Sequence, residues 1–210
     1  AHCGDGVIQP EAGEECEPSP DPGEMNNCPT MCRPASRLVF LTSESFTGDL
    51  GGLPGADNRC NELATASHLT GSFRAWLLVD GQTLAARFPE FAGAPAAWNF
   101  TSMGNQLLAK SFQQLVSHGP AGPLAYTEHG KPFAKAKVWT NITAAGLAAA
   151  GDCGQWTSEA GSALVGVSGF VPDEGPEAAA WHEQRMWTDL SGVKYPCIFT
   201  HHLYCIQVSD

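Results

Sequence analysis

Trp187-Thr-Asp-Leu-Ser-Gly-Val-Lys-Tyr-Pro-Cys197-Ile-Phe-Thr-His-His-Leu-Tyr-Cys205-Ile-Gln207 is the stretch on which the reading of this chain turns. Its two cysteines stand eight residues apart, and the second alternates strand-like with Leu203, Val208 falling one step out of phase. A strand that carries a cysteine needs a partner elsewhere, and Cys60 and Cys153 are both candidates upstream. The end of the chain is therefore expected to be a central strand that closes a domain begun near Arg37.

The chain's 210 residues suffice for one domain of ordinary size plus a small appendage. Hydrophobic residues make up 43%, enough for a sizeable core, and no apolar run approaches the ~18 residues of a membrane-spanning helix. The opening Ala1-His2-Cys3 implies a mature or trimmed product. Cys3, Cys16, Cys28 and Cys32 crowd the beginning, whereas Cys60, Cys153, Cys197 and Cys205 are spread through the rest. No Cys-x-x-Cys pair occurs, so disulfides in an oxidising compartment are expected ahead of zinc or thioredoxin-like chemistry. A net charge of -11 repels phosphate backbones and anionic polysaccharide, which speaks against nucleic acid and heparin as partners.

Residues 1–36 hold seven acids and one base and too few apolar side chains for a core, so disulfides must hold this module. Cys3-Gly-Asp-Gly6 is a tight turn, and Pro18-Ser-Pro-Asp21-Pro-Gly has no helical or strand period. Past the linker Pro34-Ala-Ser36, Arg37–Ser43 is nearly continuously apolar and predicts a buried strand. Thr47–Gly55 is a glycine-rich loop without the Gly-Lys-Ser/Thr of a phosphate loop. A helix beginning at Ala56 places Cys60, Leu63 and Ala64 on one inward face. Gly71–Val79 predicts a second strand, with Phe73, Ala75 and Leu77 on the face opposite Arg74 and Trp76, turned at Asp80-Gly81. Asn105–Val116 reads as a short helix or a strand plus turn, Lys137–Thr140 as a third strand, and Ser162–Phe170 as a short strand or loop.

Two resemblances follow. Cys3-Gly-Asp-Gly6 and Gly13-Glu-Glu-Cys16 resemble the cysteine-rich repeat of myxobacterial surface proteins, but Glu17-Pro-Ser-Pro stands where that repeat carries Asp-Asp-Gly-Asn. Asp5, Glu15, Glu17 and Asp21 remain oxygen donors for calcium, although solvated loop charges are the plainer reading. From Arg37 to Val208, the ordered set Gly55-Ala-Asp57, Cys60, Leu69–Trp76, Val138-Trp-Thr140, Cys153-Gly-Gln-Trp-Thr157 and Cys197…His201-His-Leu-Tyr-Cys205 is similar to the endostatin domain and its bacterial secreted relatives. That resemblance implies an α+β, C-type-lectin-like fold with much loop over residues 37–210. It also implies nested disulfides, Cys60–Cys205 and Cys153–Cys197, and the segregation of cysteines by module leaves Cys3, Cys16, Cys28 and Cys32 expected to pair among themselves. Loop-closure entropy would give these two bridges about 5 and about 4 kcal/mol. It implies core or aromatic positions for Trp76, Trp139 and Trp156. The family's zinc-binding histidines have no counterpart at the opening of this domain, and Arg74 alone matches its heparin-binding arginines.

His201-His202 cannot easily share one metal, because adjacent strand residues face opposite ways; one of them is expected to be buried and hydrogen-bonded. No Gly-x-Ser-x-Gly elbow is present. Trp187-Thr-Asp189 resembles the lectin Trp-Asn-Asp, and Val171-Pro-Asp173 echoes part of a lectin calcium loop, which makes Asp173 and Asp189 candidate calcium ligands. Asn99-Phe-Thr and Asn141-Ile-Thr are glycosylation sequons. Trp181, His182, Glu183, Arg185, Trp187 and Asp189 combine aromatic faces with hydrogen-bonding groups, a pattern suited to sugar rings, and at least one tryptophan is expected to be exposed. The reading that results is a secreted or cell-surface, non-catalytic binding module for a glycan or surface protein, needing no cofactor apart from calcium if any. Its alternatives are a structural or adhesive subunit and a glycan hydrolase with paired carboxylates.

Overall fold

The computed structural model describes residues 6–8, 35–92, 98–169 and 186–210. In chain order its elements are β1 (Ala35–Leu41), α1 (Gly52–Ala66), β2 (Ser72–Ala75), the single turns α2 (Leu84–Arg87) and α3 (Pro89–Ala92), β3 (Trp98–Ser102), β4 (Leu107–Ala109), α4 (Phe112–His118), β5 (Lys137–Trp139), β6 (Ser162–Val167), β7 (Lys194–Pro196) and β8 (Tyr204–Ser209). The fold is mixed α+β, with a five-stranded sheet ordered β2-β8-β1-β3-β4 and a three-stranded sheet ordered β5-β6-β7. The cysteines of the module expected at 1–36, and with them Asp5, Glu15, Glu17 and Asp21, lie outside the described residues.

The closing strand is interior, as its sequence requires. β8 pairs antiparallel with β1 on one side (Val39↔Ile206, Leu41↔Tyr204) and with β2 on the other (Phe73↔Gln207, Ala75↔Cys205). Both faces of this sheet are covered. Val39, Leu41, Tyr204, Ile206 and Val208 join a cluster with Trp76, Phe88, Phe100, Phe112 and Trp187. Phe40, Leu203 and Cys205 join Cys60, Phe73, Ala75, Leu77, Trp139 and Trp156 on the other face. Double coverage explains why β1 and β8 lack polar alternation. Trp76 is buried, as the resemblance implied: its side chain leaves the Phe73–Leu77 face and packs in the opposite cluster.

α1 packs on β2, with Ala56, Cys60 and Ala64 buried. It begins four residues earlier than the sequence suggested, after Gly51 in a left-handed conformation (φ 78°). Gly55 permits this entry, because a Cβ there would lie 2.0 Å from the Leu50 carbonyl oxygen. Asp57 ties the helix to its neighbours by accepting from Ala75 N (2.9 Å) and Arg87 Nη1 (2.9 Å), and Arg87 in turn donates to Ala75 O (3.1 Å). The disulfide Cys60–Cys205 joins α1 to β8, and Cys153–Cys197 lies within the span it closes. Trp139 and Trp156 are buried edge to face, 5.7 Å apart.

Candidate binding surface

Of the segment expected to hold ligand, Trp181, His182, Glu183 and Arg185 lie outside the described residues, as does Asp173. Trp187 and Asp189 are described, and both are interior. Trp187 is 2% exposed, with its ring 5.2 Å from Trp76 and 6.2 Å from Tyr204. The next residue fixes it further: Thr188 accepts from Trp76 Nε1 (3.3 Å) and its carbonyl from Thr140 Oγ1 (2.5 Å). Asp189, 9% exposed, spends its oxygens on Ala144 N (2.9 Å) and Gly192 N (2.6 Å) and so clamps two loops. Trp187 thus presents no face to a sugar, and Asp189 acts as a loop clamp. Among the described residues no group of three His, Cys, Asp or Glu is placed to hold a metal ion.

The two histidines separate as strand geometry demands. His201 is buried against Trp139 (4.4 Å) and Tyr195 (5.0 Å), and its Nε2 has no hydrogen-bond partner among the described residues. Burial, helped by the charge of Lys137, lowers its pKa to about 4. His202 faces the other way, its Nδ1 2.7 Å from the Thr42 carbonyl and its ring edge-on to Phe133. Burial lowers its pKa too. The sequon at Asn141 is closed in the folded chain: the residue is fully buried, and its Nδ2 donates to Ala149 O (3.0 Å) and Leu78 O (3.4 Å).

One constellation has the composition of a hydrolase triad. Ser67 Oγ lies 3.0 Å from His129 Nδ1, and His129 Nε2 lies 3.4 Å from Glu128 Oε1. The buried Glu128 also accepts from Ser43 N (2.9 Å) and Ser43 Oγ. Acyl transfer needs backbone donors aimed at the developing oxyanion. The amides here are already used: Ser67 N on the Leu63 and Ala64 carbonyls, His68 N on Thr65 O and Leu69 N on Ala64 O. Ser67 also caps the C-terminus of α1, where the helix dipole opposes negative charge. The line from Ser67 to Ser43 ties a helix end to the loop after β1. Two surface hollows, of about 390 and 500 Å³, are each lined by one helix segment only (Ser111–His118 and Asn58–Ala66) and bring no groups together from different elements.

Among the described residues, Val7, Ile8, Leu107, Phe133, Leu147, Val193, Ile198 and Phe199 are large apolar side chains left exposed, and one adjacent pair of them lies on the run into the closing strand. Ile198 is 61% exposed and Phe199 53% exposed, next to each other on the turn between β7 and β8. This turn is held on every side. Cys197 is bonded to Cys153, its N–H donates to Gly161 O (3.0 Å), and its carbonyl accepts from Gly48 N (2.7 Å). Phe199 N closes back on Pro196 O (3.1 Å), while His201 and Phe46 exchange two backbone bonds of 2.9 and 2.8 Å. Gly48 lies so close beneath the bridge that a Cβ would come 2.5 Å from Cys153 Sγ.

Across the bridge the backbone is strained. Cys153, Gly154, Gln155 and Trp156 all have positive φ, between 53° and 63°, and form one left-handed turn. Such a turn costs an L-residue roughly 1–2 kcal/mol and persists only where its surroundings enforce it. The enforcing contacts are the disulfide, Asp152 accepting from Gln155 N (2.8 Å) and Asp80 N (3.0 Å), and buried Trp156 donating to Leu78 O (3.0 Å). The result is a fixed platform carrying two uncovered apolar side chains. The chain matches no known protein-family profile, and no curated protein is detectably similar to it.

Proposed function

We propose that the chain is a secreted, non-catalytic binding module with an endostatin-like variant of the C-type-lectin-like fold, preceded by a small cysteine-rich module, and that it grips its partner through the turn carrying Ile198 and Phe199. The observation that carries this reading is the pairing of large apolar exposure with rigid anchorage, since neighbouring uncovered apolar side chains on a fixed turn mark contact sites. Anchorage matters because a preorganised loop loses little conformational freedom on binding. The disulfides suit an oxidising exterior, and among the described residues no helix is long and apolar enough to cross a membrane. The partner is a protein surface in preference to a sugar, because a branched aliphatic side chain beside a phenyl ring fills an apolar pocket and offers hydroxyl groups nothing to pair with.

Parallel arrays of glycans and immobilised extracellular proteins, probed with the full chain and with the Ile198→Ser/Phe199→Ser double variant, test this. Protein hits that vanish with the variant are expected. Hits that the variant retains in full, or a bound glycan that is turned over, would overturn the reading.

A further inference from the structure

We infer that the segment gripped by the Ile198–Phe199 turn is basic and amphipathic. This inference rests on the surface reading above and adds the chemistry of the partner. The turn lies between two stretches of chain: residues 43–49, bonded to it through Phe46 and Gly48, and residues 157–161, bonded through Gly161. Residue pairing of Asp49 with Thr157 brings these stretches together beside the Cys153–Cys197 bridge. Glu44, Asp49 and Glu159 are exposed on them and form no ion pair among the described residues. Residues 42–51, 157–163 and 197–202 contain no lysine or arginine.

Three cations stand on neighbouring elements, and of these only Arg59 is paired with a carboxylate among the described residues, so the unpaired carboxylates outnumber the unpaired lysines three to two. Arg59 lies over the Phe46 ring at 5.8 Å and pairs with Glu62 at 3.3 Å; Lys137 lies over the Tyr195 ring at 4.7 Å; Lys194 Nζ donates to the Ala150 carbonyl. His201 is buried and adds no positive charge near neutral pH. An apolar pair with a rim of unpaired carboxylates is complementary to a segment with a hydrophobic face and flanking lysines or arginines. The same rim repels anionic polysaccharide and acidic lipid surfaces. It also disfavours a second copy, because a two-fold interface would set like rims against each other on chains of net charge -11.

The test uses the full chain and three labelled peptides of equal length: Lys/Leu amphipathic, Glu/Leu amphipathic and uncharged Ser/Leu. Fluorescence anisotropy is expected to show binding of the Lys/Leu peptide alone. Glu44→Gln/Asp49→Asn/Glu159→Gln should weaken that binding about ten-fold or more, as should raised salt. Asp80→Asn/Glu90→Gln/Asp210→Asn, which removes as many charges elsewhere, should leave it within about two-fold. Ile198→Ser/Phe199→Ser should abolish it.

If the Glu/Leu or Ser/Leu peptide binds as well, or both charge triples weaken binding alike, the basic partner is overturned while the surface reading stands. If Lys/Leu binding ignores the Ile198/Phe199 change, both are overturned. Binding of no peptide overturns the basic segment. Sedimentation showing self-association that the double variant loses would identify a second copy as the occupant and overturn it as well.

Discussion

His201 is neutral in the folded chain because burial opposes its charge, with Lys137 adding to the effect. The unfolded histidine takes up a proton near its ordinary 6.5, the folded one only near 4, so stability present above pH 6.5 is lost as pH falls toward 4. His202, also lowered by burial, acts in the same direction. Urea unfolding at about pH 7 and about pH 4.5 should differ by up to about 3 kcal/mol from this source, and His201→Phe should flatten the difference. Tyr204 makes the opposite kind of test. Its hydroxyl is buried without a hydrogen-bond partner among the described residues, and burial raises its pKa well above the ordinary value. Tyr204→Phe should therefore leave stability unchanged or raise it by up to about 1 kcal/mol in equilibrium unfolding. At this scale the sequence indicated part of the outcome: adjacent strand histidines part as expected, but the one expected to be both buried and hydrogen-bonded is split between buried His201, whose Nε2 has no hydrogen-bond partner among the described residues, and hydrogen-bonded His202. It could not indicate which residues near Trp187 were interior, because a stretch mixing tryptophan, histidine and carboxylates has the same composition whether the acid clamps a backbone or faces solvent.

The left-handed turn at Cys153–Trp156 is the element least visible in the sequence. Only Gly154 tolerates its conformation freely, and nothing in Cys, Gln or Trp announces a positive φ. The turn exists because Asp152, the disulfide and Trp156 hold it from outside its own residues. Gln155, whose side chain is exposed, bears the conformational cost with no packing in return. Gln155→Gly should thus stabilise the protein by up to about 1 kcal/mol, measured by thermal or urea unfolding. Gly48→Ala should do the reverse and destabilise by about 2 kcal/mol or more, because its Cβ would enter the Cys153–Cys197 bridge. The strands β1, β2 and β5 and the inward face of α1 were legible from period and apolar runs. The display of Ile198 and Phe199 was not, because Pro196-Cys-Ile-Phe-Thr has the apolar look of a strand entry. The Pro196 start to a tight turn, with two apolar residues followed by Thr200-His-His, was the only local signal.

Across the whole molecule, the last strand completes what the first began: β8 lies between β1 and β2, and Cys205 fastens it to α1. The alternating Leu203 and Cys205 foretold an interior strand. Coverage of both sheet faces, which turns Trp76 and Trp187 into one aromatic hub, depends on elements distant in the chain and has no local signature. The closing stretch therefore divides into a core part at Trp187 and an exposed part at Ile198–Phe199. Thermal unfolding of Trp187→Ala and of Ile198→Ser/Phe199→Ser, measured side by side, tests that division most directly. Loss of a buried tryptophan should lower the melting temperature by about 6–20 °C. The exposed double variant should stay within about 2 °C of the parent. A melting temperature unchanged in Trp187→Ala, or a collapse of the Ile198→Ser/Phe199→Ser variant, would contradict it.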